Sequence, residues 1–193
     1  MSDISDDEET NIVYGLVASK VLASMHEFYI SGPIGSPEEY IRVFDKIRHA
    51  SEDDTVKIYL NSGGGDLFTA IQFLRVLSET KATVICSVEG LCCSAATLIF
   101  LNADVFEVTP NSVFMYHNYT SGTFGKGGEQ YDQILHERKW SEALLNQVYK
   151  DFLSKEEITS LLANKDIWMT SDEVVERMQK RIETRKEKDG LQT

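Results

Sequence analysis

A single hydroxyl stands among small residues at Cys92-Cys93-Ser94-Ala95-Ala96, after an apolar strand pattern over 83–88 and one glycine, Gly90, and ahead of an apolar run that ends at Leu101. A nucleophilic serine needs this setting: a turn that exposes Oγ, neighbours small enough to admit a substrate carbonyl, and a following backbone N–H that can hold an oxyanion. The same pattern also makes a helix N-cap, because serine before an apolar run is a favoured start. Upstream, Asn61-Ser62-Gly63-Gly64-Gly65 joins a strand pattern to a helical one. It lacks the lysine and hydroxyl that end a Walker loop, and it lacks GxGxxG spacing, which sets phosphate binding aside. Its N–H groups at a helix start can still receive developing negative charge, or the glycines can serve only a tight turn. His117 closes the strand pattern Val113-Phe114-Met115-Tyr116, where an imidazole can swing into a cleft or lie on the surface. Asp166 sits in a loop after a helical stretch.

The elements that must hold these residues read as an alternation. Apolar residues at helical spacing predict a helix over 11–25, and Phe28-Tyr29-Ile30 reads as a short buried strand. Ser36-Pro37-Glu38-Glu39 is a capping box with proline at the first helical position, and its helix runs to about Ala50. Val56-Lys57-Ile58-Tyr59-Leu60 is a strand by its β-branched and aromatic content, and Leu67, Ala70, Ile71, Leu74 and Leu77 mark the core face of the next helix. Strand, helix, strand, helix, strand implies a largely parallel sheet with crossover helices. After the Ser94 helix, the patterns at 105–108 and 113–116 read as an antiparallel pair, and the glycine-rich stretch 121–128 as extended or mobile. A helix over 129–152 is long enough to project from the core and pack against another subunit. Ser154-Lys155-Glu156-Glu157 opens a short helix, 167–169 a short strand, and Ser171 the last helix.

Composition narrows the class. A chain of 193 residues, 42% hydrophobic, fits one well-cored domain, expected over 11–187. Residues 1–10, with five carboxylates and no basic side chain, read as an acidic disordered tail, and 188–193 as a disordered C-terminal tail. A net charge of −12 argues against nucleic-acid binding. No run approaches the roughly 20 apolar residues of a membrane span, and the start has neither signal nor transit character. Three cysteines, two adjacent, form neither a disulfide framework nor a metal motif, so a cytoplasmic location is expected, with no metal and no cofactor.

Taken in order, four segments resemble the ClpP family of serine peptidases: Tyr59 to Gly65 its oxyanion loop, Gly90 to Leu98 its nucleophile segment, Pro110-Asn111-Ser112 to His117 its histidine segment, and Lys165-Asp166 to Glu173 its aspartate segment. The resemblance covers about 28–176. It implies an α/β, ClpP/crotonase-like spiral of β-α-β units with a projecting handle helix. It also implies Ser94 as nucleophile, His117 as base, Asp166 as the carboxylate behind the imidazole, and the N–H groups of Gly65 and Ala95 as the oxyanion hole. Gly122, Thr123, Phe124, Gly125 and Lys126 would form the strand along which a peptide adds, and Tyr59 would belong to the surface that docks a partner. The implied assembly is a homo-oligomer of two stacked heptameric rings, fed unfolded polypeptide by an AAA+ unfoldase and hydrolysing it inside a chamber.

The chain departs from that family pattern at several points. Lys57 stands in place of an aromatic, Gly63 of a proline and Ile167 of an arginine; Cys92-Cys93 precede the serine where alanines are common, and Ala95-Ala96 follow where Met-Gly is common. These changes give a second reading, a weakly active or inactive ClpP-like subunit that joins or modulates a related protease ring. A third, an acyl-CoA enzyme of the crotonase type, is disfavoured by the complete Ser-His-Asp set.

Overall fold

The computed structural model describes residues 22–190. Six strands and six α-helices are found among them, alternating as far as the fourth strand. β1 (Met25–Ser31), β2 (Thr55–Ser62) and β3 (Thr83–Cys93) run parallel, and the sheet order is β1-β2-β3-β5-β6. On β2, fully buried Val56, Ile58 and Leu60 alternate with half-exposed Lys57 and Tyr59, the period of a strand with one face on the core. β1 is an edge strand and is not buried as expected: only Ile30 is covered, while Tyr29 is 68% exposed. The helix expected over 11–25 falls mostly outside the described residues, and its last residue, Met25, opens β1 instead.

The central strands depart from the expected pattern in two ways, both of which shape the end of the sheet. β3 does not stop at Val88 but continues to Cys93. Opposite it the register shifts, so that the one residue between Leu60 and Ser62 faces the three between Val88 and Cys92, and the Asn61 side chain accepts the Leu91 N–H at 3.0 Å. Extra residues on one strand bend it. The bend lets one edge of β3 serve two neighbours in succession: Ile85 to Val88 pair with β4 (Val105–Val108), and Leu91 to Cys93 with β5 (Val113–Tyr116), both parallel. β4 and β5 are therefore not the antiparallel pair that their sequence suggests. The antiparallel partner of β5 is β6 (Ile167–Thr170).

Helices α1 (Ile41–His49), α2 (Leu67–Glu79) and α3 (Ala95–Leu101) cover the sheet. A 3₁₀ turn, Pro37–Tyr40, precedes α1, with the Glu39 carboxylate accepting the Ser36 N–H at 2.9 Å. Phe44 on α1 meets Phe73 on α2 edge-on at 4.8 Å, both buried. Each such ring contributes roughly 2–3 kcal/mol by leaving water.

α4 (Gly127–Tyr149) begins two residues earlier and ends three earlier than the apolar spacing suggests. Only Ser141, Leu145 and Tyr149, in its second half, are buried, and its first half leaves Tyr131, Ile134 and Leu135 exposed. α5 (Lys155–Leu162) has the capping box read from the sequence: Ser154 Oγ accepts the Glu157 N–H, and Glu157 returns the bond to the Ser154 N–H. A two-pronged pair from Arg177 on α6 (Ser171–Gly190) to Glu157, at 2.7 and 2.8 Å, ties the last helix to that cap. The tail expected at 1–10 lies outside the described residues; of the tail expected at 188–193, residues 188–190 continue α6 and the rest lie outside the described residues. No helix among the described residues is long and apolar enough to cross a membrane.

Candidate active site

Strand order brings the singled-out residues to one end of the sheet. β2, β3 and β5 are parallel, so their C-terminal ends lie together, and antiparallel β6 starts where β5 finishes. The glycine loop leaves β2, Ser94 follows β3, His117 follows β5, and Asp166 directly precedes β6. Parallel α/β sheets gather their sites at the carboxyl ends of strands for this reason.

Ser94 has φ 56° and ψ −129°, a conformation that costs a residue with a Cβ about 1–3 kcal/mol. Its N–H is held by the Met115 carbonyl of β5 at 2.8 Å, and the sharp reversal into α3 leaves Oγ facing out. Two residues beyond Met115, His117 brings Nε2 to 2.5 Å from Ser94 Oγ. The serine is thus more than a cap: its side chain makes no capping bond to α3, and an imidazole takes it up. Burial pushes the neighbouring Cys92 and Cys93 thiols up, which keeps them neutral beside the serine.

The glycine loop comes close to the same turn. A Cβ on Gly64 (φ 96°) would lie 2.6 Å from Ser94 Cβ and 2.8 Å from the Cys93 carbonyl, and one on Gly65 (φ 148°) would run into the Ile34 backbone. Ile34 holds the loop from its other side, its N–H donating to Gly64 O and its carbonyl accepting from Asp66 N, both at 2.8 Å. This bridge bypasses the Gly65 N–H, and the Ala95 N–H, at the first helical position of α3, has no carbonyl one turn back. Both residues line a cavity of about 130 Å³ that also touches Ser94 and His117, with Leu98 and Leu145 among its apolar walls. Gly64→Ala is expected to lower stability by about 2–4 kcal/mol in urea titrations, because a methyl there must displace the backbone of the Ser94 turn; a loss under about 0.5 kcal/mol would mean the two segments are not in contact.

Asp166 is brought near but not into contact. α5 ends in a Schellman motif, with Asn164 in the left-handed region at φ 60°, its N–H on the Leu161 carbonyl at 2.8 Å, and the Lys165 N–H on the Ser160 carbonyl at 3.0 Å. The Asn118 amide donates to Asn164 Oδ1 at 3.2 Å, clasping this turn to the residue after His117. In the β5–β6 register Tyr116 faces Ile167, so one further step sets His117 opposite Asp166. The Asp166 side chain is exposed, and among the described residues no hydrogen bond or ion pair joins it to His117.

The other candidates lie apart. Gly122 to Lys126 belong to an irregular segment without strand pairing, moored to α4 by Thr123 on Gln133 at 2.9 Å and by Ser121 on Glu137 at 2.7 Å, with Phe124 fully exposed. Tyr59 stacks on Tyr29 at 4.7 Å on the half-exposed face of β1 and β2, donating to the Glu27 carboxylate at 2.7 Å, a bond that raises its pKa. Lys57 lies over the Tyr59 ring and pairs with Glu107 at 2.9 Å. Sequence reading passed over Thr97 and Tyr149, which join beneath Ser94, and the signal was present: Thr97 is the one hydroxyl inside the apolar run 95–101.

Comparison with known proteins bears on the fold and on the family. The fold is similar to that of a ClpP1 mutant from Listeria monocytogenes, with a TM-score of 0.63 and 22% identity over 79% of this chain and 86% of that one. A comparison with curated proteins gives no match. The sequence model of the Clp protease family matches residues 41–177, a span that contains the glycine loop, Ser94, His117 and Asp166. With that match over more than two thirds of its length, and a fold that gathers those residues at one end of its sheet, the chain belongs to the Clp protease family.

Proposed function

We propose that this chain is a serine endopeptidase that cleaves unfolded polypeptide by acyl-enzyme chemistry inside an oligomeric chamber. The observation that carries the reading is the 2.5 Å approach of His117 Nε2 to the Oγ of a serine held at positive φ. His117 takes the Ser94 proton as Oγ attacks the scissile carbonyl, and the resulting oxyanion sits between the N–H groups of Gly65 and Ala95. The imidazolium returns the proton to the leaving amine. Water then enters, its oxygen bonding the acyl carbon as it gives a proton to His117; the bond to Ser94 breaks, His117 hands that proton to Oγ, and the acyl group leaves as a carboxylic acid. Asp166 is the carboxylate for the imidazolium, a role supported by its place opposite His117 in the β5–β6 register.

Leu98 and Leu145 line the cavity beside Ser94, which suits one apolar side chain on the acyl side of the cleaved bond. The substrate main chain would run along 122–126. The uncovered first half of α4 favours assembly, in the manner of two stacked heptameric rings, and the exposed Tyr29–Tyr59 stack is the surface we assign to an AAA+ unfoldase. Three unpaired cysteines suit the reducing cytoplasm.

A fluorophosphonate probe on size-fractionated protein tests the chemistry without a guess at substrate. Wild type is expected to carry the adduct on Ser94, located by mass spectrometry, and His117→Ala to label at least about 100-fold more slowly. One observation favours a second reading, a modulating subunit of a related ring: Asp166 makes no bond to His117. An assembled wild type that resists the probe would put that reading first.

A further inference from the structure

The carbonyl of Ser94 and the N–H of Ala95 belong to one planar peptide group, so whatever grips that oxygen also sets where the N–H points. Thr97 grips it twice, through its backbone N–H at 3.0 Å and its Oγ1 at 2.7 Å. A carbonyl only accepts, so the Thr97 proton lies on that bond. The other contact of Thr97 Oγ1, 2.7 Å from Tyr149 Oη, therefore has the phenol as donor. Both side chains are fully buried, and burial pushes the Tyr149 phenol well up, which keeps it protonated. Tyr149 is the last residue of α4, 52 positions further along the chain. Valine would fill the same space in an otherwise apolar helix, so packing alone does not call for a hydroxyl here.

We propose that Thr97 and Tyr149 are positioning residues for the oxyanion hole: the relay from Tyr149 O–H to Thr97 O–H to the Ser94 carbonyl clamps the Ser94–Ala95 peptide and aims the Ala95 N–H into the cavity. Donors on a carbonyl also polarise its peptide group and strengthen the N–H at the other end. The inference rests on the reading of Ser94 as nucleophile. It makes the end of α4 part of the catalytic geometry.

The test uses the full-length chain in its assembled form, with wild type, Thr97→Val, Thr97→Ser and Tyr149→Phe. It measures kcat and KM on a short fluorogenic peptide with an apolar residue before the cleaved bond, and inhibition by a peptide boronate, whose tetrahedral adduct places an oxygen in the hole. Thr97→Val is expected to lower kcat by about 10- to 100-fold, part of the 100- to 1,000-fold that follows outright loss of an oxyanion donor. KM should move by less than about twofold, and boronate affinity should fall in step with kcat. Tyr149→Phe should follow in the same direction with a smaller loss, and Thr97→Ser, which keeps the hydroxyl, should stay within about threefold of wild type. Thermal melts identify a variant that has simply failed to fold, and in that event Tyr149→Phe and Thr97→Ser decide the matter. Wild type that takes the fluorophosphonate on Ser94, together with a folded Thr97→Val of unchanged kcat and boronate affinity, overturns the relay and leaves the nucleophile standing. Equal losses in Thr97→Ser and Thr97→Val also overturn it, by pointing to packing. Wild type that takes no probe removes the nucleophile and the relay together.

Discussion

Ser94→Ala is expected to lower peptide turnover by at least about 10⁵-fold while moving the melting temperature by no more than about 2 °C. In the proposed mechanism the activity term is large because Ser94 Oγ is the hydroxyl that His117 holds, while the thiols beside it are buried and held neutral. The stability term is small because Oγ makes one hydrogen bond, to a half-exposed His117, and alanine inherits the same backbone conformation. Ser94→Gly separates the two terms further. At φ 56° and ψ −129° a glycine carries no Cβ penalty, so that variant is expected to gain about 1 kcal/mol in denaturant titrations after its greater unfolded-state freedom is counted, and to be equally inactive. An inactive protein that is more stable than wild type would locate stored strain at the nucleophile. Undiminished cleavage by Ser94→Ala would remove the serine from the chemistry.

The legible parts of this site were those encoded within a few residues. Ser94 between small residues, the Gly63-Gly64-Gly65 turn and the Ser154–Glu157 capping box all depend on neighbours in the chain, and each reads from sequence as it stands in the fold. What was not legible depends on partners far along the chain. β4 and β5 read as a hairpin because two short strand patterns flank Pro110-Asn111, yet the bend of β3 at Gly90 offers both a parallel place. Phe28-Tyr29-Ile30 has a buried strand's composition, but apolar content does not reveal that β1 lies at an edge. Gly127 and Gly128, poor helix formers, nevertheless start α4, where Glu129 returns a bond to the Lys126 N–H and helps to nucleate the first turn. The lone hydroxyl in the run 95–101 marks Thr97, but its partner Tyr149 lies 52 residues away and nothing local names it.

Asp166→Asn is expected to reduce kcat by about 10³- to 10⁴-fold and to leave stability within about 0.5 kcal/mol of wild type. The two halves of this expectation come from different features. Stability should not respond, because the Asp166 carboxylate is exposed and makes no hydrogen bond among the described residues. Turnover should respond because, in the proposed mechanism, proton transfer from Ser94 leaves a positive imidazolium whose second nitrogen needs a negative acceptor, and one step beyond the Tyr116–Ile167 pair His117 stands opposite Asp166. The Schellman turn at Asn164 and its clasp to Asn118 already fix the backbone of this loop. The asparagine keeps the size and some of the hydrogen-bonding capacity but can hold the wrong tautomer, so its deficit should exceed that of a general surface-charge change such as Asp172→Asn, which should be near zero. A loss below tenfold in Asp166→Asn would define a Ser94–His117 dyad that works without its carboxylate, and the exposed position of Asp166 in this structure would then be its working position.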